Sequence, residues 1–354
     1  MAKIRTIHYG LGSIGVEAVR LAMMRDDFEV VAAIDTHPAR AGKDLATILG
    51  LEDSPGVTVT YDPESVLRHA AADLVLHSTS ASLTSAFPEL MQITAAGKNV
   101  ISNCPGLAFP WVHYPEIAQK LDQQARQAGT CILAAGVGPG FIADIIPMLL
   151  TLACQQVKSL RIRRVVNVAD RLLEMREQTG IGLSQEGFKR AVDSGLIGLT
   201  GGRESAALLA DTLGWRIDDL RETLEPFVAD DRIKTDDLAV DKGYVSGLKQ
   251  RTIGLVGGNE VIAIEMETRL EPADPKDEII IDGQPPLHMV IPGGIKTEAA
   301  SAALMINCAP AVVRGQHRGL VSMRDLPIAP YRETTTESRL QAGGSTDPQA
   351  GINV

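Results

Sequence analysis

The sequence is poor in aromatic residues, in paired cysteines and in positive charge. Aromatic side chains make up only 4% of its 354 residues, so Ala, Val, Ile and Leu must fill the core. Such a core favours a parallel sheet covered by helices. The four cysteines and seven histidines are scattered, without a CxxC, HxxxH or HExxH pattern. We therefore expect neither a disulfide framework nor a bound metal.

The shortage of positive charge limits the classes of partner. Lys and Arg total 34 against 44 Asp and Glu, and the net charge of −10 disfavours nucleic acids and anionic membrane surfaces. The longest apolar run, residues 141–154, is interrupted by Asp144 and Pro147, so no membrane span is expected. The start of the chain is typical of a strand rather than of an apolar signal region. These features predict a cytoplasmic protein whose partner is a small molecule.

The length suggests two domains, and the first 140 residues show a regular alternation of strands and helices. Strands are predicted at residues 4–9, 29–34, 57–60, 73–77, 99–102 and 130–134, and helices at 14–24, 83–96 and 114–128. A further helix is expected to open at Asp62-Pro63, with Asp as its N-cap. This alternation predicts an α/β fold with a Rossmann-type, doubly wound parallel sheet.

The pattern changes after residue 140. A strand at 160–170, helices at 184–194 and 202–213, and a hairpin formed by 242–256 and 260–270 predict a second, α+β domain with a mixed sheet over 141–296. A helix of small residues, Thr297 to Ala309, opens a segment (297–331) that we expect to return to the first domain. Residues 332–354 are polar and lack periodicity, which predicts a disordered tail.

The turn after the first strand contains the glycines of a dinucleotide site. Its sequence over residues 10–15 is GLGSIG, in which Gly10 permits a tight turn, Gly12 lets a pyrophosphate approach the backbone and Gly15 allows close helix–strand packing. An acid, Asp35, ends the next strand, which is the context that distinguishes such a site from an isolated GxGxxG. Residues 1–140 are therefore predicted to bind a dinucleotide. Its phosphates are expected to lie at Gly10, Gly12, Ser13, Ile14 and Gly15.

The residues around Asp35 bear on which dinucleotide is used. A carboxylate at the end of the second strand can accept hydrogen bonds from the adenosine ribose and would repel a 2′-phosphate, which favours NAD. Arg40 follows, with His37 and Lys43 nearby, and it can cover the adenine, pair with a phosphate or lie in a solvated loop. We predict NAD, with NADP or dual use left open.

Three further turns follow strands at the same edge of the predicted sheet, where ligands of open sheets bind. The cofactor is expected to contact Ser78, Thr79, Ser80, Asn103, Gly138 and Pro139. The substrate pocket is expected to contain Cys104, Pro105, Gly106, Phe109, Trp111 and Phe141. Helix capping, a domain hinge and core packing are the alternatives for these residues. Cys104 itself is expected to be an apolar filler rather than a nucleophile, because no paired histidine is identifiable.

Proton-transfer residues are harder to identify than binding residues. Hydride chemistry at a carbonyl or imine needs a proton donor or a charge stabiliser nearby. The candidates are His113, Tyr114, Asp144, Glu174 and Glu298, each of which has a structural alternative as a helix cap, an ion-pair partner or a surface charge. No recognisable pattern contains any of them, so the sequence leaves the catalytic residue unassigned.

Five stretches distributed over both predicted domains indicate a family. They are GLGSIG followed by AAIDTHPARAGKDL, NVISNCPGLAFPWVHYPEIAQ, GVGPGFIADIIP, TGIGLSQEGFKRAVDSGLIGLTGGRES and IPGGIKTEAASAALMINCAPAVV. Up to about Tyr331 the chain resembles the 2,4-diaminopentanoate dehydrogenase family, which includes native amine dehydrogenases and is related to dihydrodipicolinate reductase. The resemblance implies NAD(P)-dependent interconversion of an amine with a carbonyl and ammonia through an imine. It also implies a homodimer formed through the sheet of the second domain.

The chain departs from the family pattern at three places. Members resembling amine dehydrogenases commonly have CEEL after the fifth strand, with a glutamate that serves the amine, whereas this chain has Pro105 and Gly106 there. Gly138 replaces the Asn of the usual GVNPGF, and Thr297-Glu298 replaces the usual Gly-Asp of the last stretch. The lysine-bearing HHxxK signature of dihydrodipicolinate reductase is also absent from the sequence.

These departures leave three functions open. The first is an NAD(P)-dependent dehydrogenase acting on a small amine or imine, as the resemblance implies. The second is an NAD(P)-dependent ketone or alcohol reductase without amine chemistry, because the family glutamate is missing. The third is a protein that binds NAD(P) without turning anything over.

Overall fold

A computed structural model describes residues 2–52, 56–169, 177–235, 238–327 and 330–331. One sheet is formed by seven parallel strands: β1 (Ile4–Tyr9), β2 (Phe28–Ile34), β3 (Val59–Thr60), β4 (Leu74–His77), β5 (Asn99–Ser102), β6 (Cys131–Ala134) and β15 (Gly319–Val321). Their order across the sheet is β15-β6-β5-β4-β1-β2-β3. Strands β4 and β6 are buried along their whole length, as expected for a sheet covered on both faces.

Helices connect these strands and cover both faces of the sheet. They are α1 (Ser13–Met24), α2 (Leu45–Leu49), α3 (Pro63–His69), α4 (Leu83–Ala95) and α5 (Pro115–Ala128). The Asp62 side chain accepts a hydrogen bond from the Ser65 N–H and thereby caps α3, as predicted. Helix α5 ends at Gly129, which adopts a left-handed conformation with φ of 68°. The predicted α/β fold with a Rossmann-type parallel sheet is confirmed.

The second sheet is mixed and has six strands. They are, in spatial order, β14 (Leu287–Pro292), β13 (Lys276–Gln284), β7 (Gln156–Asn167), β12 (Asn259–Arg269), β11 (Val245–Val256) and β8 (Asp219–Val228). Only β7 and β12 run parallel, and the predicted hairpin of β11 and β12 is present. Helices α6 (Ile146–Thr151), α7 (Gln185–Asp193) and α8 (Gly202–Leu213) and a ribbon of β9 (Ile233–Lys234) with β10 (Ala239–Val240) complete this part.

One face of the second sheet packs against α8 and changes character along its strands. Ile162, Ile264 and Ile279 form an apolar cluster with Leu209 of α8. Two residues farther along β7 lies Arg164, paired in register with Met266 of β12 and Asp277 of β13. The face is thus apolar at its centre and polar at this end.

The last helix, α9 (Thr297–Arg314), connects the two parts of the molecule. Met305 and Ala309 pack in one cluster with Ile4, Ala22 and Phe28 of the first sheet and its helix α1. The helix continues beyond the predicted end through Pro310 and stops before Gly315. No helix in the described part of the chain is long and apolar enough to cross a membrane.

Several predicted boundaries were wrong, and some elements were missed. The strand expected at 160–170 begins earlier, at Gln156, because Gln156, Val157 and Ser159 pair with β13. It ends at Asn167, which pairs with Arg269 of β12. Helices α2 and α6 and strands β8, β9, β10, β13, β14 and β15 were not predicted. The predicted tail, residues 332–354, lies outside the described residues.

Candidate functional site

The strand order of the first sheet reverses between β1 and β4. The chain proceeds from β1 outward to β2 and β3, and then returns to place β4, β5 and β6 on the other side of β1. At such a switch point the connecting loops diverge and leave a crevice beyond the carboxyl ends of the strands. We use "the crevice" for this space, bordered by the turns at residues 10–15, 78–82, 103–107 and 136–140.

The three glycines of the first turn have different surroundings. Gly10 has φ of 92°, and a Cβ there would lie 2.4 Å from the Ser78 carbonyl oxygen. A Cβ on Gly15 would lie 2.0 Å from the Gly10 carbonyl oxygen. A Cβ on Gly12, by contrast, would have no neighbour within 4 Å among the described residues. Gly10 and Gly15 are therefore required by packing, whereas Gly12 leaves open space beside the backbone.

A cleft of about 400 Å³ lies over this open backbone. It is lined by Leu11, Gly12, Ser13, Val16, Glu17, Arg40, Ile48 and Glu298. Four predicted residues, Gly12, Ser13, Arg40 and Glu298, are brought together there. Helix α1 begins at the cleft, and no side chain in the described ranges caps its first N–H groups. Such a helix end attracts anions. The open glycine and the uncapped helix fit the pyrophosphate of a dinucleotide.

Asp35 connects the second strand to the glycine turn. One carboxylate oxygen, Oδ2, accepts a hydrogen bond from the Leu11 N–H at 2.8 Å, and Oδ1 accepts one from the His37 N–H at 2.8 Å. The Arg40 guanidinium also pairs with Oδ2 at 3.3 Å. Asp35 therefore holds the glycine turn in place, and Arg40 reaches the cleft instead of lying in solvent as an isolated loop charge.

The turn after β4 rests on a polar network. His77 is fully buried, and its Nε2 lies 2.8 Å from Glu89 Oε2 and 2.9 Å from Thr79 Oγ1. Thr79 Oγ1 also donates to Glu89 Oε2 at 2.5 Å. The other ring nitrogen, Nδ1, lies 2.9 Å from Ser102 Oγ at the end of β5. The network thus joins the carboxyl ends of β4 and β5 to helix α4.

The remaining hydroxyls of this turn have local partners. Ser80 Oγ accepts from the Ser82 N–H, and Ser78 Oγ lies 3.9 Å from the sulfur of Met305. Ser82 precedes α4, but its side chain does not cap the helix and pairs with Thr84 instead. The capping alternative is therefore wrong for the Ser82 side chain.

The turn after β5 is tightly packed. Asn103 donates its N–H to the His77 carbonyl oxygen, and Pro105–Leu107 form a single 3₁₀ turn. Burial raises the pKa of the Cys104 thiol to about 12, and its Sγ lies 3.5 Å from the Ala81 carbonyl oxygen. Such a thiol stays protonated at neutral pH, which favours the filler interpretation. A Cβ on Gly106 would lie 3.2 Å from Leu83 Cβ and 3.7 Å from Thr200 Cγ2.

The predicted aromatic lining is divided. Phe109 is buried against Ala207 and Leu208, and the Arg324 guanidinium lies 5.3 Å from its ring centroid. Trp111 is 40% exposed, and Phe141 is half-buried in the glycine turn after β6. This packing favours the core alternative for Phe109.

The turn after β6 is built on glycine and one buried acid. Gly138-Pro139 is a cis peptide, and Gly140, with φ of 122°, donates its N–H to Asp144 Oδ2 at 2.6 Å. Gly138 and Pro139 line a small cavity together with Thr200 and Gly201 from the loop before α8. This turn therefore faces the second sheet as well as the crevice.

Asp144 is the most strongly perturbed carboxyl among the predicted proton-transfer candidates. Burial raises its pKa from 3.8 to about 6, and its Oδ1 has no hydrogen-bond partner among the described residues. Its Oδ2 is engaged by Gly140. Asp144 is therefore placed to stabilise the turn rather than to reach a ligand.

We expect an Asp144→Asn variant to gain stability over the parent as the pH rises. Because the folded-state pKa lies above that of the unfolded chain, the buried carboxyl favours folding while protonated and loses that contribution between about pH 4 and pH 6. Relative to the variant, the parent should lose roughly 2 kcal/mol of unfolding free energy across this window. Denaturant unfolding at pH 4.5 and pH 7.5 measures it. A constant difference between the two proteins would contradict the assignment.

The other proton-transfer candidates are dispersed. His113 lies 3.3 Å from Arg203 Nε, and burial together with that guanidinium lowers its pKa. Tyr114 precedes helix α5, and Glu298 lines the cleft at the glycine turn. Glu174 lies outside the described residues. No group of His, Cys, Asp or Glu in the described ranges could hold a metal ion.

Neither the Glu89–His77 network nor the buried Arg164–Asp277 pair was predicted from the sequence. His77 was visible only as the last residue of a strand, and Glu89 only as a polar residue after Pro88 within a helix. Arg164 and Asp277 lie on strands whose pairing no local pattern reveals. What distinguishes these residues is that charged or polar side chains are buried, and the burial of a particular residue cannot be predicted from a single sequence.

Comparisons with known proteins agree with this architecture. The family model for the 2,4-diaminopentanoate dehydrogenase C-terminal domain matches residues 141–341, and the dihydrodipicolinate reductase N-terminus matches residues 4–133. The chain is 30% identical over 344 residues to the 2,4-diaminopentanoate dehydrogenase of Acetoanaerobium sticklandii, covering 93% of this chain and 94% of that protein. It is 23% identical to an amine dehydrogenase of Streptomyces virginiae, covering 92% and 97%.

A solved structure shows the same fold. The amine dehydrogenase from Mycobacterium smegmatis superposes with a TM-score of 0.85 at 23% identity, covering 94% of this chain and 98% of that one. The C-terminal family model matches more than half of the chain, and the 30% identity extends over nearly its whole length. The chain belongs to the 2,4-diaminopentanoate dehydrogenase family of NAD(P)-dependent oxidoreductases.

Proposed function

We propose that the chain interconverts a small primary amine with the corresponding carbonyl compound and ammonia. In the oxidative direction, bound NAD(P)⁺ would supply the acceptor for a hydride from the carbon bearing the nitrogen. The resulting imine adds water and releases ammonia, with one proton lost to solvent. The observation that supports this most is the open backbone at Gly12, at the uncapped start of α1, in a chain 30% identical to a 2,4-diaminopentanoate dehydrogenase.

The crevice has two halves, one that would hold the adenosine and pyrophosphate of the cofactor and one that would hold the reacting groups. The Gly12 backbone and the first N–H groups of α1 would hold the pyrophosphate, and Asp35 and Arg40 would flank the adenosine. The reacting end would then lie beyond β4, β5 and β6, against the turns that contain Cys104 and Gly138. The loop at Thr200 packs on Gly106 and would close this half against water.

A substrate panel tests the proposal. Purified protein is given NADH or NADPH with small ketones, with and without ammonium, and oxidation of the cofactor is followed at its absorbance maximum. Ammonium-dependent turnover supports the proposal. Ketone reduction without ammonium would instead support a ketone reductase, the function favoured by the absence of a carboxylate at Pro105 and Gly106. Cofactor binding without any turnover would support the non-catalytic alternative.

For the cofactor, we propose NAD with tolerance of NADP. Both carboxylate oxygens of Asp35 are already engaged, and Arg40 stands at the cleft where a 2′-phosphate would arrive. An Asp35→Ser variant should raise the ratio of kcat/KM for NADP over NAD by about tenfold or more, because repulsion is removed and Arg40 is released. Affinity for both cofactors should fall modestly, since the Leu11 N–H loses its acceptor.

Steady-state kinetics with both cofactors measures the ratio, and Arg40→Ala serves as the matched control. That variant should lower use of NADP more than use of NAD. An unchanged ratio in Asp35→Ser would mean that Asp35 does not face the ribose.

We also propose that the chain has domains at residues 1–140 and 141–296 and a segment, 297–331, that returns to the first domain. The second sheet is proposed to form the interface of a homodimer. The sheet face opposite α8 presents ion pairs such as Arg163 with Glu267 and Arg251 with Glu265, a pattern suited to a self-complementary polar contact. With four free cysteines, the protein is proposed to work in the reducing cytoplasm. Light scattering of the purified protein tests the assembly.

A further inference from the structure

The loop formed by residues 198–202, just before α8, lies against two of the turns that border the crevice. A Cβ on Gly201 would lie 2.3 Å from Pro139 Cδ, in the turn after β6. A Cβ on Gly106, in the turn after β5, would lie 3.7 Å from Thr200 Cγ2. The 198–202 loop therefore spans both turns at the reacting half of the crevice.

The side-chain amide of Gln250, on β11 of the second sheet, holds this loop. Its Oε1 accepts a hydrogen bond from the Leu199 N–H at 2.7 Å, and its Nε2 donates to the Leu199 carbonyl oxygen at 2.7 Å. Two bonds exchanged with one residue reproduce the pairing of neighbouring strands. Because the N–H needs an acceptor and the carbonyl needs a donor, the amide fits in one orientation only.

A carboxylate on β8 fixes the amide from the other side. Glu222 Oε1 accepts from Gln250 Nε2 at 3.0 Å and from the Thr252 hydroxyl at 2.7 Å. Gln250 and Thr252 are 2% and 1% exposed, so these bonds are shielded from water. A Cβ on Gly202 would lie 2.5 Å from Thr252 Oγ1, which means that the loop backbone rests directly on β11. The loop is thus fixed to the second sheet at Leu199 and again at Gly202.

The space between the loop and the second sheet is small. A cavity of about 20 Å³ lies there, with Leu199, Ile264 and Met266 in its wall. Such a volume admits about one water molecule. A bulky ligand in the crevice could therefore not make room for itself by pushing the loop toward the sheet.

Thr200 differs from its neighbours in the loop because its side chain is exposed. Leu199 is held by Gln250 and Gly201 is buried, whereas Thr200 is exposed beside Gly106. Buried hydrogen bonds thus fix the backbone of a residue whose own side chain is free to meet a ligand. A side chain on a backbone that is already ordered can contact a substrate at little cost in conformational entropy.

We propose that Thr200 sets the upper limit on the size of the substrate at the reacting half of the crevice, and that Gln250 is the positioning residue that holds it there. The inference rests on the proposed function, because it takes the substrate to react beyond β4, β5 and β6. The substrate class is then a short-chain amine or ketone whose carbon chain ends against the Thr200 methyl group.

The first test compares two ketones of different length. The ratio of kcat/KM for 2-hexanone to that for 2-butanone is measured with ammonium and saturating NADH or NADPH. Thr200→Ala removes the methyl group that limits the pocket and should raise this ratio at least about tenfold, the effect of one or two carbon atoms in a pocket of fixed size. Thr200→Val keeps the shape without the hydroxyl, and it should keep the parental ratio.

The second test separates positioning by Gln250 from a general loss of structure. Gln250→Leu removes both hydrogen bonds to Leu199, so hydrogen exchange of the Leu199 amide should accelerate. KM for both ketones should rise at least about tenfold while kcat changes less than about threefold, because substrate binding is lost rather than chemistry. The Kd for the cofactor should not change. Gln185→Leu, which replaces an exposed glutamine at the start of α7, is the matched control and should change none of these quantities.

The outcomes separate this inference from the proposed function. A parental ratio in Thr200→Ala, or a changed ratio in Thr200→Val, would overturn the inference. So would a Gln250→Leu variant that loses stability or cofactor affinity with no change in KM, since Gln250 would then be structural only. If the parent reduces ketones without ammonium, the amine chemistry is refuted and the ratio still decides the inference.

Calorimetry covers the case in which neither ketone is turned over. Titration of the cofactor-loaded protein with the same two ketones gives the ratio from their Kd values, and the variants are compared in the same way. A parent that binds the cofactor but neither ketone would overturn both proposals.

Discussion

A Gly12→Val variant is expected to keep its fold and lose its cofactor. A Cβ at Gly12 meets no atom of the described part of the chain within 4 Å, and the backbone there, with φ of −69° and ψ of −169°, accepts a branched side chain. The added methyl groups would occupy the space beside the first turn of α1 where the pyrophosphate must approach. The Kd for NADH and for NADPH should rise by at least about 100-fold, while the melting temperature changes by no more than a few degrees.

Gly15→Ala provides the control in the same turn. Its Cβ would collide with the Gly10 carbonyl oxygen at 2.0 Å, so this variant should lose stability before it loses affinity. Calorimetric titration with each cofactor and thermal unfolding of both variants give the comparison. Near-parental affinity in Gly12→Val would show that the cofactor does not lie over the glycine turn.

The first sheet could be predicted from sequence because its information is local. Ile4–Tyr9, Asn99–Ser102 and the caps at Asp62 and Gly129 combine a short apolar run with a turn signal a few residues away. A parallel strand buried on both faces is a continuous apolar stretch, and its helix follows immediately. Nothing distant is needed to recognise such a unit.

The second sheet could be predicted only in part, because its strands are paired over long separations. β13 pairs with β7 across more than 110 residues, with Asp277 opposite Arg164. β8 alternates exposed and half-buried residues, DLRETLEPFV, and its charges conceal a strand that is half solvated. The hairpin of β11 and β12 was recognisable because its turn lies between adjacent strands.

The candidate site, like the fold, could be predicted from the sequence only in part. The glycine turn and Asp35 are adjacent in a sequence pattern, and the structure brings Gly12, Ser13 and Arg40 to one cleft. Glu89, on a helix, reaches a histidine twelve positions earlier that is buried at a strand end. That contact depends on how α4 lies on the sheet, which no spacing rule specifies. Side-chain contacts that depend on how helices pack on the sheet could therefore not be predicted from the sequence.

An Arg164→Met variant is expected to cause the largest loss of stability. Arg164 and Asp277 are 2% and 0% exposed, and Arg164 Nε donates to Asp277 Oδ1 at 2.7 Å. The pair also fastens the segment before α9, because Arg164 donates to the Ile295 carbonyl and the Ile295 N–H donates to Asp277. A Cβ on Gly138 would lie only 2.9 Å from Arg164 Nη1, so the guanidinium packs directly behind the glycine turn of the crevice.

Removing the guanidinium leaves the Asp277 carboxylate buried without a countercharge, which typically costs about 3–5 kcal/mol. Urea unfolding followed by tryptophan fluorescence measures the loss, since Trp215 packs in the core cluster between this sheet and α8. The double variant Arg164→Met with Asp277→Leu should recover part of the loss, because no unpaired charge remains. Arg221→Met, which removes an exposed pair with Asp219 on β8, should cost no more than about 1 kcal/mol. If the double variant were as unstable as Arg164→Met, the loss would come from packing behind Gly138 rather than from the buried charge.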